Sequence, residues 1–356
     1  MISKPAVFAL PLALLLGAQG AALAKVAGEK AERTAPDKVV VTWTDANPVD
    51  VYQADRPDGG LAGARLVSGR NGAGRFEAPA TPTARPYFLL KDTRDGAVVR
   101  VAERVVPLQQ GSNFRDLGGY AAAGGKHVRW GRIYRSGGTP LLTDTDVATV
   151  QALGLTDLVD LRSSEERTLA PTRIYGVHYS AVGYSLTTLL DTSKPVTGDE
   201  RMHSTYGQMP TLLAPQLRIL FRTLRAHEGP VAYNCSAGQD RTGLATALVL
   251  TALGVPRDVI FADYHLSTTY RRPDYEMPRI DAATQASNPV AAFFAGYQND
   301  PRARTPQPLF DAEHRPLLQF ALAEIERRWG SIDAYLDKEL GVNSADIARL
   351  RADYLE

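Results

Sequence analysis

The stretch Val231-Ala232-Tyr233-Asn234-Cys235-Ser236-Ala237-Gly238-Gln239-Asp240-Arg241-Thr242-Gly243 decides how this chain is read. A short β-like run leads into a cysteine, five residues separate that cysteine from an arginine, and Gly243 to Leu253 (GLATALVLTAL) is apolar nearly all round. A run of that texture is a buried helix, so the segment reads as strand, tight loop, buried helix. A loop that wraps back onto a helix N-terminus points successive backbone N–H groups into one concavity. Backed by the positive end of the helix dipole, such a nest binds a phosphate dianion.

Each residue of the loop has a place in that scheme. Gly238 gives the backbone freedom to turn where a side chain collides. Arg241 offers a planar fork of donors matched to two phosphate oxygens. The same amides and positive charge favour a thiolate at Cys235, whose attack on phosphorus gives a thiophosphate that water then hydrolyses. The phosphoryl oxygens face Arg241 and the amides of Ser236, Ala237, Gly238, Gln239, Thr242 and Gly243. The Thr242 hydroxyl either hydrogen-bonds the cysteine sulfur and eases its departure or simply belongs to the first helical turn. The scheme needs no metal or cofactor. The six histidines fit no usual ligand spacing, HExxH is absent, and one cysteine cannot build a zinc site.

Outward from the loop, strands and helices alternate. Ile133-Tyr134-Arg135 and Leu158-Val159-Asp160-Leu161 read as strands. Thr143, with Asp146 three residues on, looks like a helix N-cap, and that helix ends at Gly154. A longer helix is expected from Leu212 to His227, stopped by Gly229-Pro230. This alternation predicts an α/β domain over residues 108–356, with a small, largely parallel central sheet flanked by helices. Residues 37–107 differ in texture. Val39-Val40-Val41-Thr42-Trp43, Val49-Asp50-Val51-Tyr52, Tyr87-Phe88-Leu89-Leu90 and Val98-Val99-Arg100-Val101 are short strand candidates, punctuated by Asp58-Gly59-Gly60 and Asn71-Gly72. They predict a small all-β sandwich resembling a fibronectin type III module. Residues 25–36 read as an irregular, charged linker.

The N-terminus carries Lys4, an apolar run from Ala6 to Leu16 and then Ala22-Leu23-Ala24. That run is too short to span a bilayer, and the pattern is that of a signal peptide of residues 1–24, cleaved after Ala24. A secreted or periplasmic protein without stable membrane insertion is expected. Cys235 is the single cysteine, so no intramolecular disulfide can form. The formal net charge is +1, which gives none of the basic surplus that nucleic-acid binding needs.

The motifs carry a resemblance. Asn234-Cys235-Ser236-Ala237-Gly238-Gln239-Asp240-Arg241-Thr242-Gly243 resembles the H-C-x-A-G-K-D-R-T-G loop of an atypical bacterial group of protein tyrosine phosphatases. Asn113-Phe114-Arg115-Asp116-Leu117-Gly118-Gly119-Tyr120 resembles that group's N-F-R-D-L-G-G-Y stretch. Asp160-Leu161-Arg162-Ser163-Ser164-Glu165 resembles its D-L-R-S-x-x-E segment, and Asp263-Tyr264 its A-D-Y stretch. The resemblance spans roughly residues 108–356, with the motifs in the same order, and some exported members carry a β-domain in front. It implies a phosphomonoester hydrolase acting through a cysteinyl-phosphate, of tyrosine or dual specificity, on a phosphorylated protein or a small phosphoester. Arg115 and Asp116, with Asn113, are expected to brace the loop, and Arg162 with Glu165 to form a structural ion pair.

Two departures stand out. Asn234 replaces the usual histidine; it can hydrogen-bond and orient the loop but carries no charge. Gln239 replaces a frequent lysine, which weakens a phosphoinositide reading. The general acid stays open: Asp240 either donates the leaving-group proton or only braces the loop, and Asp191 and Asp199 lie in a later loop from which an acid can approach. Tyr264 either lines the pocket or packs between helices, and Phe293, Phe294 and Tyr297 either form a lid or pack a loop-rich cap. Two competing functions are a serine hydrolase using Ser236, which lacks the glycine of G-x-S-x-G at position 234, and a non-catalytic phosphate-binding or adhesion protein.

Overall fold

The computed structural model describes residues 26–189 and 198–356. Residues 1–24, expected to be a signal peptide, and Asp191 lie outside the described residues.

Seven strands come first: β1 (Ala27–Ala35), β2 (Lys38–Thr44), β3 (Val49–Ala54), β4 (Arg65–Asn71), β5 (Arg75–Pro79), β6 (Tyr87–Asp92) and β7 (Val98–Ala102). They form two antiparallel sheets, ordered β1-β2-β5 and β4-β3-β6-β7. Period-2 alternation explains the packing. Val39, Val41 and Trp43 of β2, Val49 and Val51 of β3, and Phe88 and Leu90 of β6 point into one shared core. The other face of β6 is covered too: Tyr87 joins Trp130, from the following α/β part, in a separate apolar cluster.

Residues 25–36, expected to be an irregular linker, contain β1 instead, paired with β2 from Ala27↔Thr44 to Ala35↔Lys38. Ala31 is the one apolar side chain this edge strand buries, so no periodicity marks it. Ladder hydrogen bonds hold it, together with a two-pronged pair between Arg33 and Glu103 at 2.9 and 2.8 Å.

The second sheet system has the order β11-β10-β12-β9-β8, made of β8 (Arg115–Asp116), β9 (Ile133–Ser136), β10 (Asp157–Asp160), β11 (His178–Ala181) and β12 (Val231–Asn234). Its four β9–β12 strands pair in parallel, and only β8 runs antiparallel, against β9. The helices that matter for the site are α1 (Asp144–Ala152), α2 (Ser164–Leu169), α3 (Leu186–Leu189), α4 (Gly198–Leu212), α5 (Ala214–Ala226), α6 (Asp240–Leu253), α7 (Arg257–His265) and α8 (Ser267–Tyr270). The Thr143 capping box forms as read from the sequence, and Gly154 follows that helix at φ +67°. Every residue of α6 except Asp240 and Thr251 is buried, as its all-round apolar sequence requires. In the Pro-rich segment, Phe294 of helix Ala291–Asn299 packs against the main core while Phe293 and Tyr297 stay exposed. No helix among the described residues is long and apolar enough to cross a membrane.

Candidate active site

β12 and α6 are joined by the loop holding Cys235, and the sheet's C-terminal edge supports it from below. Gly238 adopts φ +62°, and a Cβ there would lie 2.4 Å from the backbone of Ser136 and Gly137. The loop therefore rests directly on the end of β9, a contact only glycine permits.

Four carbonyls of the loop segment, those of Asn234, Ser236, Ala237 and Gly238, are tied outward. Asn234 O accepts from Leu161 N at 2.8 Å, and Ser236 O from Gly138 N at 2.7 Å. Asn113 Nδ2 donates to the carbonyls of Ala237 and Gly238 at 3.0 and 2.8 Å, and Arg135 Nη2 donates to Gly238 O at 2.8 Å. With these four oxygens engaged outside, the amides from Ser236 to Arg241 donate to no protein group among the described residues. That is the electrostatic condition of an anion nest. Asn113 itself sits at φ +57°, a conformation asparagine tolerates better than most residues.

Arg241 is fixed by a residue the sequence reading passed over. Glu166 takes Arg241 Nη1 and Nη2 in a fork at 2.6 and 2.7 Å. The same carboxylate accepts from Ser236 Oγ at 2.6 Å and from Ser163 N at 2.9 Å. Burial alone would raise the Glu166 carboxyl. The charge and fork of Arg241, with the Ser236 hydroxyl, overcome that and hold it down at about 2. Burial likewise works against the charge on Arg241, while Glu166, Tyr184 and Cys235 more than restore it. Tyr184 Oη accepts from Arg241 Nη1 at 2.7 Å and donates to Leu161 O at 3.0 Å. Burial pushes this phenol up to about 12; Arg241 opposes the rise, and Glu166 and Cys235 add to it. Sulfur, guanidinium and phenol thus share one electrostatic space.

The expected Arg162–Glu165 pair is not formed. Arg162 instead forks Asp160, with contacts at 2.9, 3.1 and 2.6 Å, and Glu165 Oε2 accepts from Leu186 N at 3.3 Å. Counted out, S-x-x-E from the N-cap Ser163 falls on Glu166, and the capping box forms there. That spacing was the available signal for Glu166. Tyr184 carried no local signal.

Of the expected supports, Asn113 reaches the loop, while Arg115 acts at one remove. It donates to Asn113 Oδ1 and to both the carboxylate and the backbone carbonyl of Asp263, whose carboxyl burial would raise but which Arg115 and Arg135 hold well below the ordinary range. Asp116 does not brace the loop. Its oxygens take Gly118 N, Gly131 N and Arg85 Nη2, at 2.7, 2.7 and 2.8 Å, so it ties the α/β part to the strands in front. Strand alternation explains the split, since Arg115 and Asp116 are neighbours in β8 and face opposite sides. Asn234 fails as an orienting group: it is buried, and neither side-chain polar atom has a partner among the described residues. Thr242 Oγ1 has none among them either, so it makes no bond to the sulfur. Gln239 bridges Arg271 Nη1, at 2.8 Å, to Asp240 Oδ1, at 3.1 Å. Asp199 accepts from Ala312 N at 2.9 Å, in contact with another segment. Ser236, the alternative nucleophile, has its proton committed to Glu166.

A cavity of about 920 Å³ lies between the front strands and the α/β part, lined by Arg56, Thr81, Arg85 and Arg132 among others, and holds none of the loop. Cys235 itself is only 1% exposed. Asp157, His178 and Glu228 bring one ligand atom each within 4.8 Å of one another. They lie at the start of β10 and β11, the opposite end of the sheet from Cys235, and have no part in the site.

A parallel sheet that delivers a cysteine and a clamped arginine onto an amide nest defines a phosphate-handling enzyme. Comparison with known proteins gives the class its family. The model described as the tyrosine phosphatase family matches residues 106–356, and the chain belongs to that family. It is a hydrolase of phosphoric monoesters. A Cupriavidus necator protein named as a tyrosine-protein phosphatase is 35% identical over 253 residues, covering 68% of this chain and 86% of its own length. The triple specificity protein phosphatase PtpB of Mycobacterium tuberculosis is 32% identical over 277 residues, covering 67% of this chain and 95% of its own. A tyrosine-protein phosphatase of Nostoc commune is 29% identical over 216 residues, covering 59% and 69% respectively.

Proposed function

We propose that Cys235 is the nucleophile of a two-step phosphatase reaction. Its thiolate attacks phosphorus, the S–P bond forms as the ester P–O bond breaks, and Asp240 gives its proton to the departing oxygen. Water then attacks the phosphocysteine, Asp240 takes the water's proton back, and sulfur leaves as thiolate with release of phosphate. Arg241 and the amides from Ser236 to Arg241 hold the phosphoryl oxygens, and Glu166 holds Arg241. The observation that carries this reading is the division within the loop, with carbonyls engaged outward and amides left for an anion beside Cys235.

The burial of Cys235 favours an aryl phosphate such as phosphotyrosine, which reaches further than phosphoserine. The triple specificity named for the mycobacterial relative supports testing both, and a lipid phosphate beside them. The motif details favour the atypical bacterial group within the family. The front strands fit a fibronectin-III-like module, and the leader in residues 1–24 supports action outside the cytoplasm.

The test is hydrolysis of p-nitrophenyl phosphate by the mature protein without added metal, with vanadate as inhibitor. Cys235→Ser and Arg241→Ala are each expected to lower kcat/KM by at least about 10³-fold. Activity retained in Cys235→Ser and lost in Ser236→Ala would overturn the assignment. A panel of phosphotyrosine and phosphoserine peptides and a phosphoinositide then ranks the substrates.

A further inference from the structure

Asp240 opens α6, and both of its side-chain hydrogen bonds fall on one oxygen. Oδ1 accepts from the Tyr206 hydroxyl and from Gln239 Nε2, while Oδ2 takes no hydrogen bond among the described residues. Behind this contact, the Tyr206 and Tyr264 hydroxyls are 2.5 Å apart. A phenol has one proton, and Tyr206 gives its proton to Asp240, so Tyr264 is the donor in the second contact. A one-way chain results: Tyr264 to Tyr206 to Asp240, running from α7 through α4 to α6.

The chain is rigid. Both rings are buried, and a side chain on Gly243 would lie 2.9 Å from the Tyr264 ring, so α6 and α7 close around it. Burial first, and then the Asp240 charge, push both phenols well above their ordinary range. They therefore stay donors throughout the pH range of a phosphatase assay.

We propose that Tyr206 is a positioning residue for Asp240: held by Tyr264, it makes Oδ1 a permanent acceptor and leaves Oδ2 as the oxygen that delivers and recovers the proton. The proposal rests on Asp240 being the acid and base of the reaction above. A carboxyl free to rotate presents either oxygen to the leaving group for part of the time. Two donors converging on Oδ1 remove that freedom before substrate arrives.

The groups around Asp240 are few. Tyr206 faces it from α4, and Tyr264 stands behind from α7, itself influenced by Arg135 of β9. Gln239 faces it from the loop with Arg271 beyond, and Arg241 follows it in α6.

The experiment compares Tyr206→Phe with the unaltered full chain on phenyl phosphate, whose leaving group needs a proton, and on p-nitrophenyl phosphate, whose leaving group does not. The expected result is a roughly 10-fold or greater fall in kcat on phenyl phosphate, and a change under about 3-fold on p-nitrophenyl phosphate. KM and vanadate affinity hold. Tyr264→Phe, which leaves the Tyr206–Asp240 contact in place, gives the same pattern at smaller size and serves if the first variant folds poorly. Equal losses on both substrates, or a rise in KM that accounts for the fall, overturn the proposal. Asp240→Asn separates the two levels: if it does not discriminate between the substrates, the acid assignment falls and takes the proposal with it. If it discriminates and Tyr206→Phe does not, only the role of Tyr206 falls.

Discussion

Replacing Glu166 by glutamine removes a charge from a fully enclosed position while keeping the shape. The carboxylate accepts from Arg241 twice, from Ser236 and from Ser163, with no exposure to water. Its carboxyl drops from the ordinary 4.5 to about 2, with burial opposing and Arg241 prevailing. A shift of that size corresponds to about 3 kcal/mol at ~1.4 kcal/mol per unit. The scale agrees with the roughly 3–5 kcal/mol lost when one partner of a buried ion pair is removed. Because the folded value is depressed, this stabilisation is complete above the unfolded value and fades as pH falls towards the folded one. Glutamine retains one acceptor oxygen, so the expected loss near neutral pH is about 2–3 kcal/mol. For a chain of this size that lowers Tm by roughly 3–4 °C. Urea unfolding of both proteins near pH 7 and again near pH 3 measures it, and the gap between them is expected to shrink to about half at the lower pH. With Arg241 no longer clamped, kcat/KM on p-nitrophenyl phosphate falls at least about 10-fold in the same variant. A Glu166→Gln protein as stable as the original near neutral pH, or a gap that does not change with pH, would refute the reasoning.

Two further outcomes follow from the loop's surroundings. Gly238→Ala combines a left-handed backbone with a 2.4 Å collision against Ser136 and Gly137, so vanadate binding measured by calorimetry should fall by at least about 100-fold even where circular dichroism shows a folded chain. Asn234→Leu removes two buried polar atoms that have no partner; it should leave stability unchanged or raise it by up to about 1–2 kcal/mol in urea unfolding, with kcat altered less than about 3-fold.

What the sequence disclosed depended on how local the cause was. The loop and α6 were legible because a cysteine, a glycine, an arginine and an all-round apolar run lie within one segment, each with its own physical reason. The α1 boundary was legible because Thr143 and Asp146 cap their own helix. β1 was not, since its partner strand, rather than its own side chains, makes it a strand. Glu166 was one position from the residue chosen; the fork to Arg241 spans 75 residues, and only the cap spacing hinted at it. Tyr184 and Tyr206 matter solely for what they touch from distant segments, which no periodicity records. Asn234 misled in the other direction, for a polar residue beside a nucleophile suggests a contact that the fold does not supply.

The covered outer face of β6 limits how this enzyme can be cut down. Severing the chain ahead of the α/β part would strip Tyr87 from Trp130 and Arg85 from Asp116, leaving an indole and a carboxylate that evolved under cover facing water. The strands in front are thus part of the catalytic half's own wall, and a minimal phosphatase excised at that seam would begin life with a wound.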